Sequence, residues 1–326
     1  MTLTIINAQQ VRELLPIAEC IDVMADAMLA ASSGTIAVPP RMIQPLIDGS
    51  GHYLLMPGSS AELGSYGAKL IGIHPDNAPA GRPVIQGLVA LFDHQSGTPV
   101  AIIEGAEITA LRTAAASGLA TRLLARADAR SCGIFGCGVQ AVTHIDAIRA
   151  VRPVQEIVVW ARDFGKAEDF AARQAERTGI AVRATADPAE AAGCDVICTL
   201  TGSATPILKG EWVPPGAHVN LVGAHSLTTR EADSELIVKS AVYVDLLESC
   251  RNEGGDVMIP IQEGVIDESH ICGEIGQLLA GAIEGRRDAG QVTLYNSLGI
   301  TAQDLYAARY VYDRALAAQV GTTVDF

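Results

Sequence analysis

The stretch Ser131-Cys-Gly-Ile-Phe-Gly-Cys-Gly-Val-Gln-Ala141 carries the strongest chemical signal in the chain. A short apolar run (Cys132, Ile134, Phe135) leads into Gly136-x-Gly138-x-x-Ala141, and a helical pattern follows to Arg149. The order strand, glycine turn, helix can lay backbone N–H groups and the positive end of a helix against a pyrophosphate. Gly136 would permit the tight turn, Gly138 would leave room for the phosphates, and Ala141 would let the helix sit close on its sheet. The string alone is weak, because glycine is abundant at 32 residues and such strings arise by chance. The plain alternative is an ordinary strand–helix turn; the flanking pattern favours dinucleotide binding.

An acidic residue normally ends the second strand of such a unit and binds the ribose 2′-OH. Here Ile157-Val-Val-Trp160 is followed by Ala161-Arg162-Asp163. Ala161 stands where the acid is expected, and Arg162 could pair with a 2′-phosphate. The expectation is NADP(H), with NAD(H) left open through Asp163.

A second signal is cationic. The first 112 residues hold only Arg12, Arg41, Lys69, Arg82 and Arg112 as basic side chains. Lys69 lies in the apolar run Tyr66–Ile73, and Arg112 lies among small residues in Thr109–Ser117. A charge in either setting is costly unless paired or facing a ligand. Each alone reads as structural; with Arg41 after Pro39-Pro40, the three predict an anion pocket facing the cofactor. The enzyme reading that rests on it collapses if Lys69 and Arg112 stand far from the nicotinamide ring, pointing into water or tied up in internal ion pairs.

These groups need two kinds of scaffold. Met1–Ala8 reads as a strand and Pro16–Ala31 as an amphipathic helix ended by Ser32-Ser-Gly34. Val38–Leu91 reads as short antiparallel strands, including Tyr53–Met56, Tyr66–Ile73 and Gly87–Asp93, followed by Pro99–Glu104. A small-residue helix spans about Ile108 to Ala125. The remainder alternates: strands at Cys132–Phe135, Glu156–Trp160, Ala181–Ala184, Val196–Leu200, His218–Leu221 and Ala241–Val244, with helices near Val142–Ala150, Lys166–Thr178 and Pro188–Ala192. Asn252–Asp256 reads as a glycine loop. A strand at Gln291–Tyr295 and a helix from Thr301 to Ala318 close the chain. The predicted class is α/β: a Rossmann-type doubly wound parallel sheet over residues 119–300, plus an α+β domain built from 1–118 with 301–326, to which the last helix returns.

Composition narrows the partners. A net charge of −14 argues against nucleic acid and anionic membranes. No apolar run is long enough to span a bilayer, and no leader pattern precedes the first strand. Seven scattered cysteines without a C-x-x-C pair read as small buried hydrophobes in a reducing compartment, the cytoplasm. No metal-ligand spacing is visible.

Lys69-Leu-Ile, Leu111-Arg-Thr-Ala-Ala-Ala-Ser117, Gly136–Ala141, Asn220-Leu-Val-Gly-Ala-His225 and Ser297-Leu-Gly299 fall in the order and spacing of the ornithine cyclodeaminase/mu-crystallin family, which the chain resembles over nearly its whole length. The resemblance implies an N-terminal substrate and dimerisation domain and a homodimer. It implies that Arg41, Lys69 and Arg112 grip a substrate carboxylate. Gly138, Val139 and Gln140 would touch the pyrophosphate; Thr199, Leu200 and Thr201 would lie along the cofactor; Leu298 would border the nicotinamide. Thr113, Gly136, Ala161, Arg162 and Val222 complete the expected cofactor set.

Two departures bear on the reaction. Cyclodeaminases of this family carry an acid two places before Met-Pro, where Leu54 precedes Met56-Pro57, and an aspartate where His225 stands. A diamine substrate would want those carboxylates. The expected chemistry is therefore reduction of a carboxylate-bearing imine, of the Δ1-pyrroline-2-carboxylate or Δ1-piperideine-2-carboxylate type, to an amino acid. Lys69 and His225 are the candidate proton sources, and Asp256 is a weaker acid–base candidate. Rival readings are a cyclodeaminase releasing ammonia, an alanine-type dehydrogenase, and a non-catalytic NADPH-dependent binding protein.

Overall fold

A computed structural model describes residues 2–77 and 79–326. Met1, the first residue of the expected opening strand, lies outside the described residues. The chain divides into two compact units, residues 1–112 with 299–326 and residues 113–298.

The first unit opens with β1 (Thr2–Ile6), α1 (Ala8–Leu14) and α2 (Ile17–Ser33). Helix α1, absent from the sequence reading, starts on a capping box: the Asn7 side chain accepts from Gln10 N, and the Gln10 side chain accepts from Asn7 N. Helix α2 stops at Gly34, which is left-handed. Then come β2 (Met42–Pro45), β3 (His52–Ser60), β4 (Ser65–Ile73), β5 (Ile85–Asp93), β6 (Pro99–Glu104) and α3 (Gly105–Leu124), a helix that contains the division between the units.

The second unit continues with β7 (Ser131–Phe135), α4 (Val139–Val151), β8 (Glu156–Trp160), α5 (Phe164–Thr178), β9 (Ala181–Thr185), α6 (Pro188–Ala192), β10 (Val196–Thr199) and β11 (His218–Leu221). It ends with α7 (Ser234–Lys239), β12 (Ser240–Val244), α8 (Leu247–Glu253), α9 (Gly255–Gln262), β13 (Ile271–Glu274), α10 (Ile275–Leu279) and β14 (Val292–Asn296). The chain then returns to the first unit with α11 (Thr301–Ala318) and β15 (Thr322–Asp325). Asn252–Asp256 is not the expected loop. It is the junction of α8 and α9, and the Gly254 N–H donates to Cys250 O at the end of α8.

The first unit's sheet has the order β15-β1-β6-β5-β4-β3-β2. The β3–β4–β5–β6 ribbon is antiparallel, and β1 joins β6 in parallel. Alternation along β3 and β4 buries Leu54, Met56, Lys69 and Ile71 on one face, against which α11 packs. Lys69 is thus a charged side chain placed where the pattern calls for an apolar one.

The second unit's sheet has the order β13-β12-β14-β11-β10-β7-β8-β9, with every pairing parallel. Successive residues enter two separate cores. Ile134, Ile157, Val159 and Val196 join the cluster beneath α4 and α5, while Phe135, Val158, Ile197 and Val219 join the other. A sheet covered on both faces explains why its strands are continuously apolar rather than alternating.

Candidate functional site

In the second unit the strand order reverses between β7 and β10, because β8 and β9 lie on one side and the chain returns to β10 on the other. Crevices at such switch points, at the carboxyl ends of parallel strands, receive ligands in open α/β sheets. Gly136 follows β7 there with φ +116, and a Cβ on it would stand 2.9 Å from Leu200 O. Only glycine serves both the backbone angle and the approach to the loop after β10. Gly138 differs: a Cβ there would meet no atom within 4 Å, so its missing side chain leaves open space. Gly138 is the N-cap of α4 and offers no side-chain cap, and the first turn of α4 holds no acid. The helix N-terminus therefore has its positive end available for an anion. Val139 is 71% exposed beside it. This open cradle fits a nicotinamide dinucleotide on steric and electrostatic grounds.

Arg162 and Asp163 follow β8 and are exposed. The Asp163 carboxylate accepts from Lys166 N and so caps α5. Ala161, beside them, is half-buried. Thr199 ends β10, and Leu200 and Thr201 follow; the Leu200 N–H donates to Phe135 O. Val222, after β11, donates its N–H to Thr199 O. Leu298 is fixed by its N–H donating to the buried Asp245 at 2.7 Å, and Tyr295 O–H donates to the same carboxylate. Asn296 and Ser297, just before it, are buried with side-chain polar atoms that meet no protein partner. Thr113 is buried on α3.

The first unit carries the cations. Lys69 Nζ donates to Asp304 Oδ1 at 2.8 Å, and Arg112 Nε donates to the same oxygen at 3.0 Å. Arg112 Nη1 also donates to Gln303 Oε1 at 2.8 Å. Arg41 Nη2 donates to Gly299 O at 2.6 Å. Gly299 has φ +77, and a Cβ on it would lie 2.2 Å from Arg112 Nη1. One glycine thus accepts one guanidinium on its carbonyl and leaves space for another above its Cα.

The internal ion pairs that would have counted against a ligand role are present, but they do not balance. Two cations, Lys69 and Arg112, share one oxygen of the Asp304 carboxylate, and its Oδ2 is buried without a hydrogen-bond partner. Burial pushes the Lys69 ammonium down to about 7, and Arg112 adds to the effect, against the opposing pull of Asp304. Burial acts to raise the Asp304 carboxyl, yet Arg112, Lys69 and Arg41 together hold it below its ordinary value. Lys69 and Arg112 thus bring two positive charges to one negative one.

Sequence reasoning missed Asp304 and Gln303. Both lie in the first turn of α11, where an acid reads as a helix-end preference. A further element of unit two is Glu231, also unforeseen and fully buried. His225 lies exposed in the loop after β11, with Nδ1 at 3.2 Å from Gly223 O. Asp256 is buried and accepts from Glu231 N and Ala232 N; burial pushes its carboxyl up to about 7. Leu54 points into the core of the first unit. His144 is buried on α4, contacting Ser117 Oγ and Gln140 O. Among the described residues, no group of His, Cys, Asp and Glu side chains could hold a metal.

Comparison with known proteins gives a consistent result. The profile of the Ornithine cyclodeaminase/mu-crystallin family matches residues 2–319. The Δ1-pyrroline-2-carboxylate reductase of Bacillus cereus is 35% identical over 99% of both chains. The Thermococcus litoralis Δ1-pyrroline-2-carboxylate reductase, solved in complex with NADH and L-proline, superposes with a TM-score of 0.95 at 35% identity over 99% of this chain and 100% of that one. An archaeal alanine dehydrogenase dimer with bound NAD gives a TM-score of 0.93 at 31% identity over 100% of both.

Proposed function

The chain belongs to the ornithine cyclodeaminase/mu-crystallin family, and from there we propose that it is a nicotinamide-dependent oxidoreductase that reduces a carboxylate-bearing cyclic imine, of the Δ1-pyrroline-2-carboxylate or Δ1-piperideine-2-carboxylate type, to an amino acid. The observation that carries this reading is that two buried cations, Lys69 and Arg112, share the single carboxylate of Asp304. Arg41 and Arg112 hold the substrate carboxylate and fix its orientation, which saves the entropy of aligning the reacting carbon. Lys69, poised near neutral pH, holds the proton that the imine nitrogen takes up. Asp304 orients the ammonium and keeps it protonated more readily than burial alone would allow. His225 is the alternative proton source.

The cofactor, when bound, supplies a hydride to the imine carbon. Gly136, Gly138, Val139 and Gln140 hold its pyrophosphate, and Thr113, Thr199, Leu200, Thr201, Val222 and Leu298 line it. Ala161 and Arg162 favour NADP(H) over NAD(H); Asp163, the acid beside them, commits one carboxylate oxygen to capping α5.

The uncovered face of the first unit's sheet carries Tyr66 stacked on Phe92, with ring centroids 5.0 Å apart, and an exposed Leu70. Together with the dimeric alanine dehydrogenase neighbour, it supports a homodimer formed through the first unit. All seven cysteines are free, which fits a reducing compartment such as the cytoplasm; no described helix is long and apolar enough to cross a membrane.

The likeness to an alanine dehydrogenase favours a second reading, reductive amination of a 2-oxo acid with ammonia. One spectrophotometric panel separates them: NADPH and NADH against cyclic imino acids, against pyruvate with ammonia, and against ornithine with an ammonia readout. Cofactor oxidation by cyclic imino acids without added ammonia is the expected result. Turnover only with ammonia supports the second reading, and ammonia release from ornithine without net cofactor change defeats both.

A further inference from the structure

Glu231 lies outside every cofactor and substrate role assigned above, yet it is fully buried in the second unit. Its carboxylate joins two loops at the carboxyl end of the sheet. Oε1 accepts from Thr201 N at 2.8 Å and Thr201 Oγ1 at 2.6 Å, in the loop after β10. Oε2 accepts from Gly223 N at 2.7 Å, in the loop after β11. The loops are pressed together at this point: a Cβ on Gly223 would lie 2.0 Å from Thr201 O and 2.6 Å from the Glu231 carboxylate. Glu231 is itself held, because its own N–H and that of Ala232 donate to Asp256 Oδ1 at 2.8 and 2.9 Å. Asp256 sits in the first turn of α9. A chain of carboxylates therefore runs from a helix start to the ends of two central strands.

We propose that Glu231 is a positioning residue, which sets the spacing of the Thr199–Thr201 and Val222–Gly223 loops and so preorganises the cofactor's seat before it binds. A carboxylate accepts at both oxygens, whereas an amide accepts at one and donates at the other. Gln at 231 would aim an N–H at either Gly223 N–H or the Thr201 N–H, and one loop would lose its anchor. Burial raises the Glu231 carboxyl, and the hydrogen bonds from Thr201 and Gly223 oppose that rise by favouring the carboxylate. The inference rests on the cofactor reading of this end of the sheet.

The test is a direct NADH and NADPH titration by fluorescence on the wild-type protein and on Glu231→Gln, with no imine present. The variant should bind the wild type's preferred cofactor about tenfold or more weakly, one broken anchor being worth about a factor of ten. Its hydrogen exchange should rise in the segments around Thr201 and Gly223 and stay unchanged around Arg112. Wild-type affinity in the variant overturns the inference while leaving the cofactor reading standing. A wild-type protein that binds neither nucleotide removes both. If the variant does not fold, hydrogen exchange on the cofactor-free wild type decides. Slow exchange at both Thr201 and Gly223 supports a preformed seat, and fast exchange at either one overturns it.

Discussion

Lys69 and Asp304 stand 235 positions apart in the chain, yet Nζ and Oδ1 are 2.8 Å apart with side chains 1% and 0% exposed. The pair is asymmetric because Arg112 shares the same oxygen. Removing the lysine leaves Asp304 with a partner; removing the carboxylate takes from two buried cations the charge they share, and Arg112 keeps only the neutral Gln303 of the contacts described. Asp304→Asn should therefore cost ~3–5 kcal/mol of stability, and Lys69→Met clearly less. Urea unfolding of the two variants checks the order; equal losses would show that the carboxylate is not the hub.

Lys69 also sets a pH expectation. If it delivers the proton, kcat/KM for imine reduction falls as pH rises through about 7, where the free ammonium is lost. Asp304 raises that value, so a folded Asp304→Asn enzyme should lose activity at lower pH than wild type. His225→Ala should leave the limb in place and keep most of the turnover. A drop of about 10²-fold in that variant, with loss of the limb, would transfer the proton to His225.

Gly299→Ala forces a side chain into left-handed backbone and onto Arg112. The backbone strain is of order 1 kcal/mol; the displaced guanidinium is the larger effect. The KM for the imino acid should rise tenfold or more, while the dissociation constant for the reduced cofactor changes little. Steady-state kinetics beside a cofactor titration reads the split.

Arg162→Asp should raise the KM for NADPH at least tenfold, the loss of a charged pair, and leave that for NADH unchanged or lower. An equal effect on both would remove Arg162 from cofactor choice.

Two buried histidines should make the fold sensitive to acid. Burial holds His218 down to about 3 and His144 to about 4, so the folded state stays neutral while the unfolded chain protonates near 6.5. Between these values the unfolded state binds more protons, and stability falls as pH falls, by about 1.4 kcal/mol per pH unit per histidine. Asp256, raised to about 7, works in the opposite sense below that pH. Replacing His218 by Gln should flatten the net decline, so the loss between pH 7 and 5 shrinks by about 1–2 kcal/mol. Urea midpoints at both pH values measure it.

The second unit was largely legible because its signals are local. A glycine turn, an apolar strand and a helix are consecutive in the chain, and Gly136 serves a backbone angle that only its neighbours set. The long strand–helix alternation and the boundaries of β6, β8 and α11 follow from the same short-range periodicity. The α8–α9 junction was misread because two adjacent glycines break a helix as readily as they make a loop. Asp304 and Glu231 were invisible for a different reason. Their partners, Lys69, Arg112, Thr201 and Gly223, are brought to them by sheet register and helix packing, and an acid in a helix turn or loop looks solvated until the fold buries it. The sequence by itself determined which groups could carry charge and where backbone could approach phosphate. Tertiary structure alone decided which charges meet, because desolvation and pairing depend on distances between segments remote in the chain.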